Sequence, residues 1–378
     1  MSKTVVRQRE IPGRSGIDAK SLQNIVFNDS FARMSGDIDR NDLFLQWDSR
    51  EDNEEEVVIF LFATQHGINR LRNNRDWSGD GQFSCVPGNL LQVYTVGALI
   101  DHHVIPSVFV LMANRCQDTY SRVFTKINTL LGGVAPRTFM SDYEIAVHNA
   151  VQIVFPSVTL RGCLFHLAQS VHRHIRKKGH INFYNQSGGQ FRMSMRCLTA
   201  LSALPLDLVE EGFISIMEEV ALFPINERNA AEEIASYFEM TYIARLNRQG
   251  IRQQARFPPS TWNSNAAILC DGVRTNNSLE GFHRSFQRHF GHSSPNLSKV
   301  IMALQEEERN AQLRVRPREL DRNASIIAFK RKKVYTENDA RLKELVSEFD
   351  SFRQSQLITR IEIKEFLRAV QYRLGSIM

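Results

Sequence analysis

The chain has 378 residues, of which 42% are hydrophobic, and it carries a net charge of +6 with a pI near 9.1. Its five cysteines show no CxxC pair, and no apolar run reaches the roughly 20 residues of a membrane span. These features exclude a disulfide-stapled scaffold and a membrane-spanning chain. The start also lacks the apolar segment of a signal peptide, so we expect an intracellular protein, and the mild basicity permits nucleic-acid binding.

Apolar runs separated by polar turns fill the first third of the chain, as is typical of β-strands. Residues 1–20 show no periodicity and predict a flexible start. Runs at 43–47 and 57–62 predict two strands joined by an acidic loop. Further runs at 83–86, 91–100 and 104–112 predict an antiparallel meander, because only short polar turns separate them.

Helix and strand patterns alternate from residue 118 onward. The predicted elements are a helix at 118–131, a strand at 137–140, a helix ending at Val154, a strand at 158–165 and a helix starting near His166. Together with the meander, this order predicts a mixed α/β sheet with parallel strands in its second half.

Strand signals vanish after about residue 190, and residues 192–246 predict amphipathic helices with buried candidates such as Leu198, Phe213 and Leu222. The tail from about 310 is charged and predicts further helices. Its run Lys330–Lys333 indicates either an exposed helical face or a nuclear import signal.

One acid, Glu280, lies near the start of a predicted helix whose neighbouring face is basic. Leu279, Phe282, Phe286 and Phe290 form the apolar stripe of this helix. Glu280 and Arg284 share a different face, with His283 and Arg288 at its margins. A carboxylate among positive groups suits a site that holds a divalent metal beside a phosphate.

Four motifs in this order resemble those of the MULE (Mutator-like element) transposase family. The matching stretches are 77–83 (WSGDGQF), 140–144 (MSDYE), 161–166 (RGCLFH) and 274–286 (RTNNSLEGFHRSF). The resemblance covers roughly residues 20–310. It departs at Gln82, where the family usually has a small hydroxyl residue, and in the lack of a preceding zinc module. We expect the change at Gln82 to alter the local turn without touching a ligand.

The resemblance implies an RNase H-like mixed sheet flanked by helices and interrupted by an all-helical insertion before the last catalytic acid. It makes Asp80, Asp142 and Glu280 the catalytic and metal-binding acids. Because the first acid then lies on the first strand, that strand must begin earlier than the run at 83–86. The implied segments are an N-terminal extension with a β-hairpin (1–65), the first part of the core (66–190), the helical insertion (191–270), the last core helix (271–310) and a charged helical tail (311–378).

The family chemistry implies two Mg²⁺ or Mn²⁺ ions, which prefer oxygen ligands, and no zinc. DNA is the implied partner, without a membrane, and the family allows a homo-oligomer on transposon ends in the nucleus. The DNA-facing candidates are His283, Arg284, Arg288, Arg173, Arg176 and Lys177. The last three also suit a solvated helix end.

Each acid also has a plain structural interpretation. Asp80-Gly81 is a strong turn dipeptide, and Ser141–Glu144 resembles a capping box. Asn277–Glu280 is a similar arrangement that would put Glu280 at the third helical position. Cys163 and His166 are either half of a zinc site or a packed cysteine and a histidine oriented beside the active site.

The leading hypothesis is a MULE-type DDE transposase, or a protein derived from one, that cuts DNA and joins the freed 3′-hydroxyl to a target. Its alternative is a domesticated, non-catalytic DNA-binding or regulatory protein that keeps the fold. An intact set of acids favours the first, and the missing zinc module favours the second. A simple RNase H-type nuclease would need no helical insertion.

Overall fold

The structure is a computed structural model, and it describes residues 22, 25–34, 42–52, 57–87, 90–186, 188–245, 247–251, 253–291, 295–321, 324–327 and 333–374. The start at 1–20 and residues 330–332 of the basic run lie outside these ranges. Within them, no helix has both the length and the apolar character that crossing a membrane requires.

The chain folds into two compact units, each made of two separate stretches. The sheet unit contains residues 1–160 and 276–329, and the helical unit contains residues 161–275 and 330–378. Asp80, Asp142 and Glu280 all belong to the sheet unit. The five segments expected from the sequence are a finer division and stay a prediction.

Seven strands form one mixed sheet in the described part of the chain. They are β1 (Leu45–Asp48), β2 (Ile59–Phe62), β3 (Asp76–Gln82), β4 (Gln92–Ile100), β5 (His103–Met112), β6 (Thr138–Ser141) and β7 (Thr159–Gly162), in the spatial order β1-β2-β5-β4-β3-β6-β7. Strands β3, β4 and β5 pair antiparallel, as the meander predicted, and β6 pairs parallel to β3. The described α-helices are α1 (Asp29–Ala32), α2 (Gln65–Asn73), α3 (Gln117–Leu130), α4 (Ile145–Val154), α5 (Leu164–Lys177), α6 (Ile181–Asn185), α7 (Gln190–Ala200), α8 (Val209–Val220), α9 (Ile225–Phe238), α10 (Pro259–Trp262), α11 (Asn265–Leu269), α12 (Asn277–Arg288), α13 (Leu297–Leu320), α14 (Lys333–Ser355) and α15 (Arg360–Arg373). This sheet flanked by helices is compatible with an RNase H-like fold.

The two faces of the sheet bury different clusters, because successive strand residues point to opposite sides. One cluster joins Trp77 and Tyr94 to aromatic residues of α3 and to the β6 residue Phe139. The other joins Val93 and Phe109 to the apolar stripe of α12 and to α13. Burying each large side chain contributes about 1.5–3 kcal/mol. The second face is the one that brings α12 against the central strands.

The polar strand β3 is where composition and structure disagree most. Residues 83–86, predicted as a strand, follow β3 instead, and Cys85 and Val86 are buried beneath α12 and α13 without strand pairing. The strand itself begins at Asp76, earlier than the apolar run, as the family resemblance required. It forms because β4 and β6 supply backbone partners on both sides, whatever the side chains are.

Two further differences concern helices. The helix α2 was not predicted, although Thr64 caps it by accepting the backbone N–H of Gly67. Leu222, expected to be buried, lies just after α8 and is 85% exposed. In contrast, the predicted stripe of α12 is confirmed, since Leu279, Phe282 and Phe286 are all buried.

Candidate active site

The first candidate acid, Asp80, lies in the middle of the sheet on β3. The residue is 6% exposed, and its Oδ1 accepts the backbone N–H of Gly81 at 2.9 Å. Oδ2 accepts the side-chain amide of Asn276 at 3.1 Å and lies 3.7 Å from Nδ1 of His283. Asp80 is therefore a buried carboxylate that faces the start of α12.

Glycines on either side of Asp80 let the aromatic cluster approach the back of β3. A Cβ atom on Gly79 would collide with the hydroxyl of Tyr94 and lie 2.7 Å from the ring of Phe139. A Cβ atom on Gly81 would lie 2.5 Å from the side-chain oxygen of Gln92. Neither glycine forms a turn, because both pair with β4 residues inside the strand, so the turn interpretation of Asp80-Gly81 is wrong.

The second candidate acid, Asp142, follows the end of β6 by one residue. In the parallel pairing of β3 with β6, Ser78 lies opposite Met140, 62 residues away. Asp80 and Asp142 are also 62 residues apart. If the same register continued two residues past Ser78 and Met140, the two acids would lie side by side on one face of the sheet. The backbone carbonyl of Asp142 accepts a hydrogen bond from Nε2 of His148 at 2.9 Å, which fixes the chain after the strand.

The third candidate acid, Glu280, is half-buried on α12, one turn after the N-cap residue Asn276. Asn276 is itself buried and bonds Asp80, so the start of the helix is tied to the strand. A second tie forms where the side-chain amide of Gln82 donates to the backbone carbonyl of His283 at 3.2 Å. Two side-chain bonds thus hold the Glu280 helix against β3.

The three carboxylates interact electrostatically. Burial raises the pKa of Asp80 well above its usual range, the charge of Asp142 raises it further, and Glu280 adds a smaller increase. The N–H groups of Gly81 and Asn276 oppose this only in part. Burial also raises the pKa of Glu280, against the lowering effect of Arg284. Repulsion among the acids is felt most at Asp80, the most buried of them.

These residues fit a hard divalent cation by their chemistry. Carboxylate oxygens are the ligands that Mg²⁺ and Mn²⁺ prefer, and a cation would remove the repulsion that raises the pKa of Asp80. In the described residues, no three His, Cys, Asp or Glu side chains are close enough together to hold a metal ion as they stand. The carboxylates are therefore within electrostatic range of one another but not in ligating contact.

The predicted DNA-facing residues divide into two sets. On α12, Arg284 and Arg288 are exposed, whereas the side chain of His283 is 13% exposed and turned toward Asp80. Arg173, Arg176 and Lys177 are exposed on α5, in the helical unit. Exposure suits both a phosphate contact and a solvated face, so these assignments stay predictions.

The Cys-x-x-His pair belongs to the helical unit. Cys163 is fully buried at the N-cap of α5, which begins at Leu164 and not near His166. Burial and the charge of Arg173 lower the pKa of His166 to about 4, so the imidazole is neutral at physiological pH. The role of the pair stays a prediction.

Both capping interpretations were wrong in their positions. The helix after Asp142 begins at Ile145 with Glu144 as its N-cap, so Asp142 lies outside the first turn. The Glu280 helix has Asn276 as its N-cap, which puts Glu280 at the fourth helical position and not the third. The first helix starts three residues later than the capping box predicts, and the second starts one residue earlier.

Sequence reasoning missed several side chains around the acids. Asn276 could have been found, because asparagine directly before a helix is a favoured N-cap. The fourth carboxylate, Glu144, could not have been found from the sequence. Its Oε2 accepts the hydroxyl of Tyr120 at 3.2 Å, and Tyr120 accepts the amide of Gln92 at 2.7 Å. Burial and then the charge of Asp142 raise the pKa of Glu144.

Three comparisons relate this chain to known proteins. No curated protein matches the sequence. One similar solved structure is the Drosophila P element transposase strand transfer complex, with 11% identity over 83% of this chain and 81% of that chain and a TM-score of 0.25. The model of the MULE transposase domain matches residues 83–170, which include Asp142, Cys163 and His166 but neither Asp80 nor Glu280. The resemblance inferred from the motifs is thus confirmed for this stretch, which matches the model of the MULE transposase domain.

Proposed function

We propose that this protein is a MULE-type DDE transposase, which cuts DNA in a metal-dependent reaction and joins the freed 3′-hydroxyl to target DNA. The observation that supports this proposal is that Asp142 and Glu280, from two other elements, both act electrostatically on the buried Asp80 of β3. Grouped carboxylates repel each other, and such an arrangement is readily explained where a cation is held between them.

In this proposal Asp80 lies between two cations, with Asp142 on one of them and Glu280 on the other. When bound, the ions would activate the attacking oxygen and neutralise charge on the scissile phosphate. All three acids come from the sheet unit. The ligand set therefore does not depend on how that unit meets the helical one.

The other residues have supporting roles. Asn276 and Gln82 hold α12 against β3, which keeps Glu280 within reach of Asp80. Arg284, one turn after Glu280, is exposed and positively charged, so it is suited to contact a phosphate of the DNA backbone. Nδ1 of His283 lies 3.7 Å from Asp80, so a protonated His283 would form an ion pair with that acid.

The proposal includes the finer family features. The RNase H-like core would be interrupted by the helices between β7 and α12, which precede the last acid. DNA would be the partner, and the nucleus the compartment in which it is met. A homo-oligomer on transposon ends would be consistent with this activity.

Nicking of a supercoiled plasmid in the presence of Mn²⁺ or Mg²⁺ tests the proposal. We expect wild-type protein to relax the plasmid and Asp142→Ala to lose at least about 100-fold in rate, because one metal ligand is removed. Asp29→Ala provides a matched control, since the Asp29 side chain is 76% exposed and lies outside the acid group. Joining of a labelled oligonucleotide with a free 3′-hydroxyl to the plasmid then tests strand transfer.

Two outcomes of this assay would contradict the proposal. Salt-dependent DNA binding without nicking under either metal would overturn the proposal and favour a domesticated DNA-binding protein. Nicking that persists in Asp142→Ala would show that a contaminating nuclease, or another site, is responsible.

A further inference from the structure

An exposed aromatic ring lies at the end of the strand that carries Asp80. Phe83 directly follows Gln82, the last residue of β3, and is 49% exposed. Among the phenylalanines that the structure describes, only Phe352, at 37%, comes near this exposure. A large apolar ring left in water beside a charged site has no role in the core, so its surroundings are informative.

A guanidinium group lies over this ring. The Cζ atom of Arg115 is 5.6 Å from the centroid of Phe83, within the range of a cation–π contact. Arg115 is exposed, in the loop between β5 and α3. The loop has a defined shape, since the side-chain oxygen of Asn114 accepts the hydroxyl of Thr119 at 2.6 Å and the backbone N–H of Cys116 at 3.3 Å. Arg115 is therefore held over the ring by a loop of defined shape.

This pair borders the acid group. The loop that carries Arg115 leads into α3, and Tyr120 of α3 donates its hydroxyl to Glu144, two residues after Asp142, at 3.2 Å. Phe83 is three residues from Asp80. A DNA strand that enters a group of carboxylates meets repulsion at its phosphates, and a cation at the border offsets that repulsion.

The geometry points to a nucleotide-binding platform formed by Phe83 and Arg115. An unpaired base would stack on the exposed ring of Phe83, while Arg115 would bind the phosphate of the same nucleotide, next to the bond to be cut. The base must be unpaired because a base inside a duplex has both faces covered by its neighbours. This inference rests on the proposed function and names the form of DNA that the site prefers.

Binding measurements with two DNA molecules test the platform in the full-length protein. One is a blunt duplex, and the other is the same duplex with a three-nucleotide single-stranded 3′ overhang. We expect Phe83→Ala to weaken binding of the overhang DNA by about 10-fold, since base stacking on an aromatic ring contributes of this order. Blunt-duplex binding should change less than about 2-fold, and Phe83→Trp should restore overhang binding. Phe352→Ala is the matched control and should change neither.

Arg115→Ala provides a second variant with a different signature. Loss of one phosphate contact should weaken binding of the overhang DNA and reduce the slope of log affinity against log salt by about one. The exposed thiol of Cys116 reports occupancy independently. Overhang DNA should slow its maleimide labelling in wild type but not in Phe83→Ala, while labelling of the exposed Cys270 stays unchanged.

Failure of the platform and failure of the proposed function give different results. If wild type nicks DNA in an Asp142-dependent manner but Phe83→Ala binds both DNA molecules as wild type does, the platform is wrong and the transposase proposal stands. If no nicking occurs but overhang binding depends on Phe83, catalysis is wrong and the platform stands. Equal weakening of both DNA molecules by Phe83→Ala would also overturn the platform.

Discussion

The sheet unit buries two acidic side chains in opposite ways. Glu308, on α13, is fully buried, and its two oxygens bond the guanidinium of Arg70 and the hydroxyl of Thr64, each at 2.5 Å. Asp80 is almost as buried, but its side-chain neighbours are the neutral amide of Asn276, His283 and two further carboxylates. Glu308 is compensated by a cation of the chain, whereas burial and two neighbouring carboxylates disfavour the charge of Asp80, and the N–H groups of Gly81 and Asn276 offset them only in part.

This contrast predicts different roles for the two acids. Removing one member of a buried ion pair exposes the other to an environment in which its charge is poorly solvated. A carboxylate whose charged form is destabilised by the fold is instead stabilised when a cation from solution binds to it. Burial alone would not distinguish the two acids, since both lie well below one-tenth exposure.

The largest expected effect is on the compensated acid. Glu308→Ala leaves the guanidinium of Arg70 buried without its partner, and we expect the free energy of unfolding to fall by about 3–5 kcal/mol. Urea denaturation measures this loss. Glu306→Ala on the same helix is the control, because its side chain is 47% exposed and its pair with Arg309 should contribute less than about 1 kcal/mol. Equal losses in the two variants would contradict the distinction.

A divalent cation should have the next largest effect, and only on the uncompensated acid. At about 100 times its dissociation constant, Mn²⁺ should stabilise the wild-type protein by about 2.7 kcal/mol. The stabilisation should disappear in Asp80→Asn, which keeps the shape of the side chain but removes its charge. Thermal unfolding with and without Mn²⁺ gives the measurement. If Mn²⁺ raised the unfolding temperature of both proteins equally, the ion would bind at a site other than Asp80.

Overpacking behind β3 should lower the free energy of unfolding by a similar or smaller amount. Gly79→Ala puts a methyl group against Tyr94 and Phe139, and we expect a loss of about 1–3 kcal/mol from overpacking. Gly281→Ala is the matched control on α12, because nothing lies within 4 Å of its added Cβ atom. That variant should be neutral or slightly more stable, since alanine favours a helix. A tolerated Gly79→Ala would show that the aromatic cluster does not fix the strand.

The smallest effect is a pH dependence of Asp80. Its raised pKa means that the native state without metal binds a proton more tightly than the unfolded chain does. Wild-type stability should therefore fall as the pH rises from the unfolded value, near 3.9, through the folded pKa. The Asp80→Asn variant lacks this proton, so its stability relative to that of wild type should rise between about pH 4 and pH 7. Paired unfolding curves in EDTA measure the difference, and a difference independent of pH would contradict the assignment.

Much of the fold could be predicted because most of its elements have a pattern of apolar residues that can be recognised locally. The apolar runs of β4 and β5 and the helical spacing of Tyr120 and Phe124 are local patterns, and both were confirmed. Strand β3 could not be found from its own residues, since Ser78, Gly79 and Gly81 have low strand preference and its pairing partners are distant in the chain.

The site shows the same limit. The acids could be proposed from motifs, but the bonds that arrange them join residues far apart, such as Asn276 and Asp80 at a separation of 196. The contact between the platform residues Phe83 and Arg115 also joins positions far apart in the chain. Phe83 was read as part of a strand, and nothing in the local sequence indicates that Arg115, 32 positions later, covers its ring.

The return of the chain to the sheet unit after the helical unit has a consequence for synthesis on the ribosome. Asp80 and Asp142 emerge early, but α12 and α13, which cover one face of the sheet, emerge only after residues 161–275 have been made. During that interval the apolar face that includes Val93 and Phe109 lacks the cover that α12 and α13 provide, and such nascent surfaces are prone to aggregate. We therefore expect the nascent chain to bind chaperones until Phe286 and Leu304 have left the ribosome.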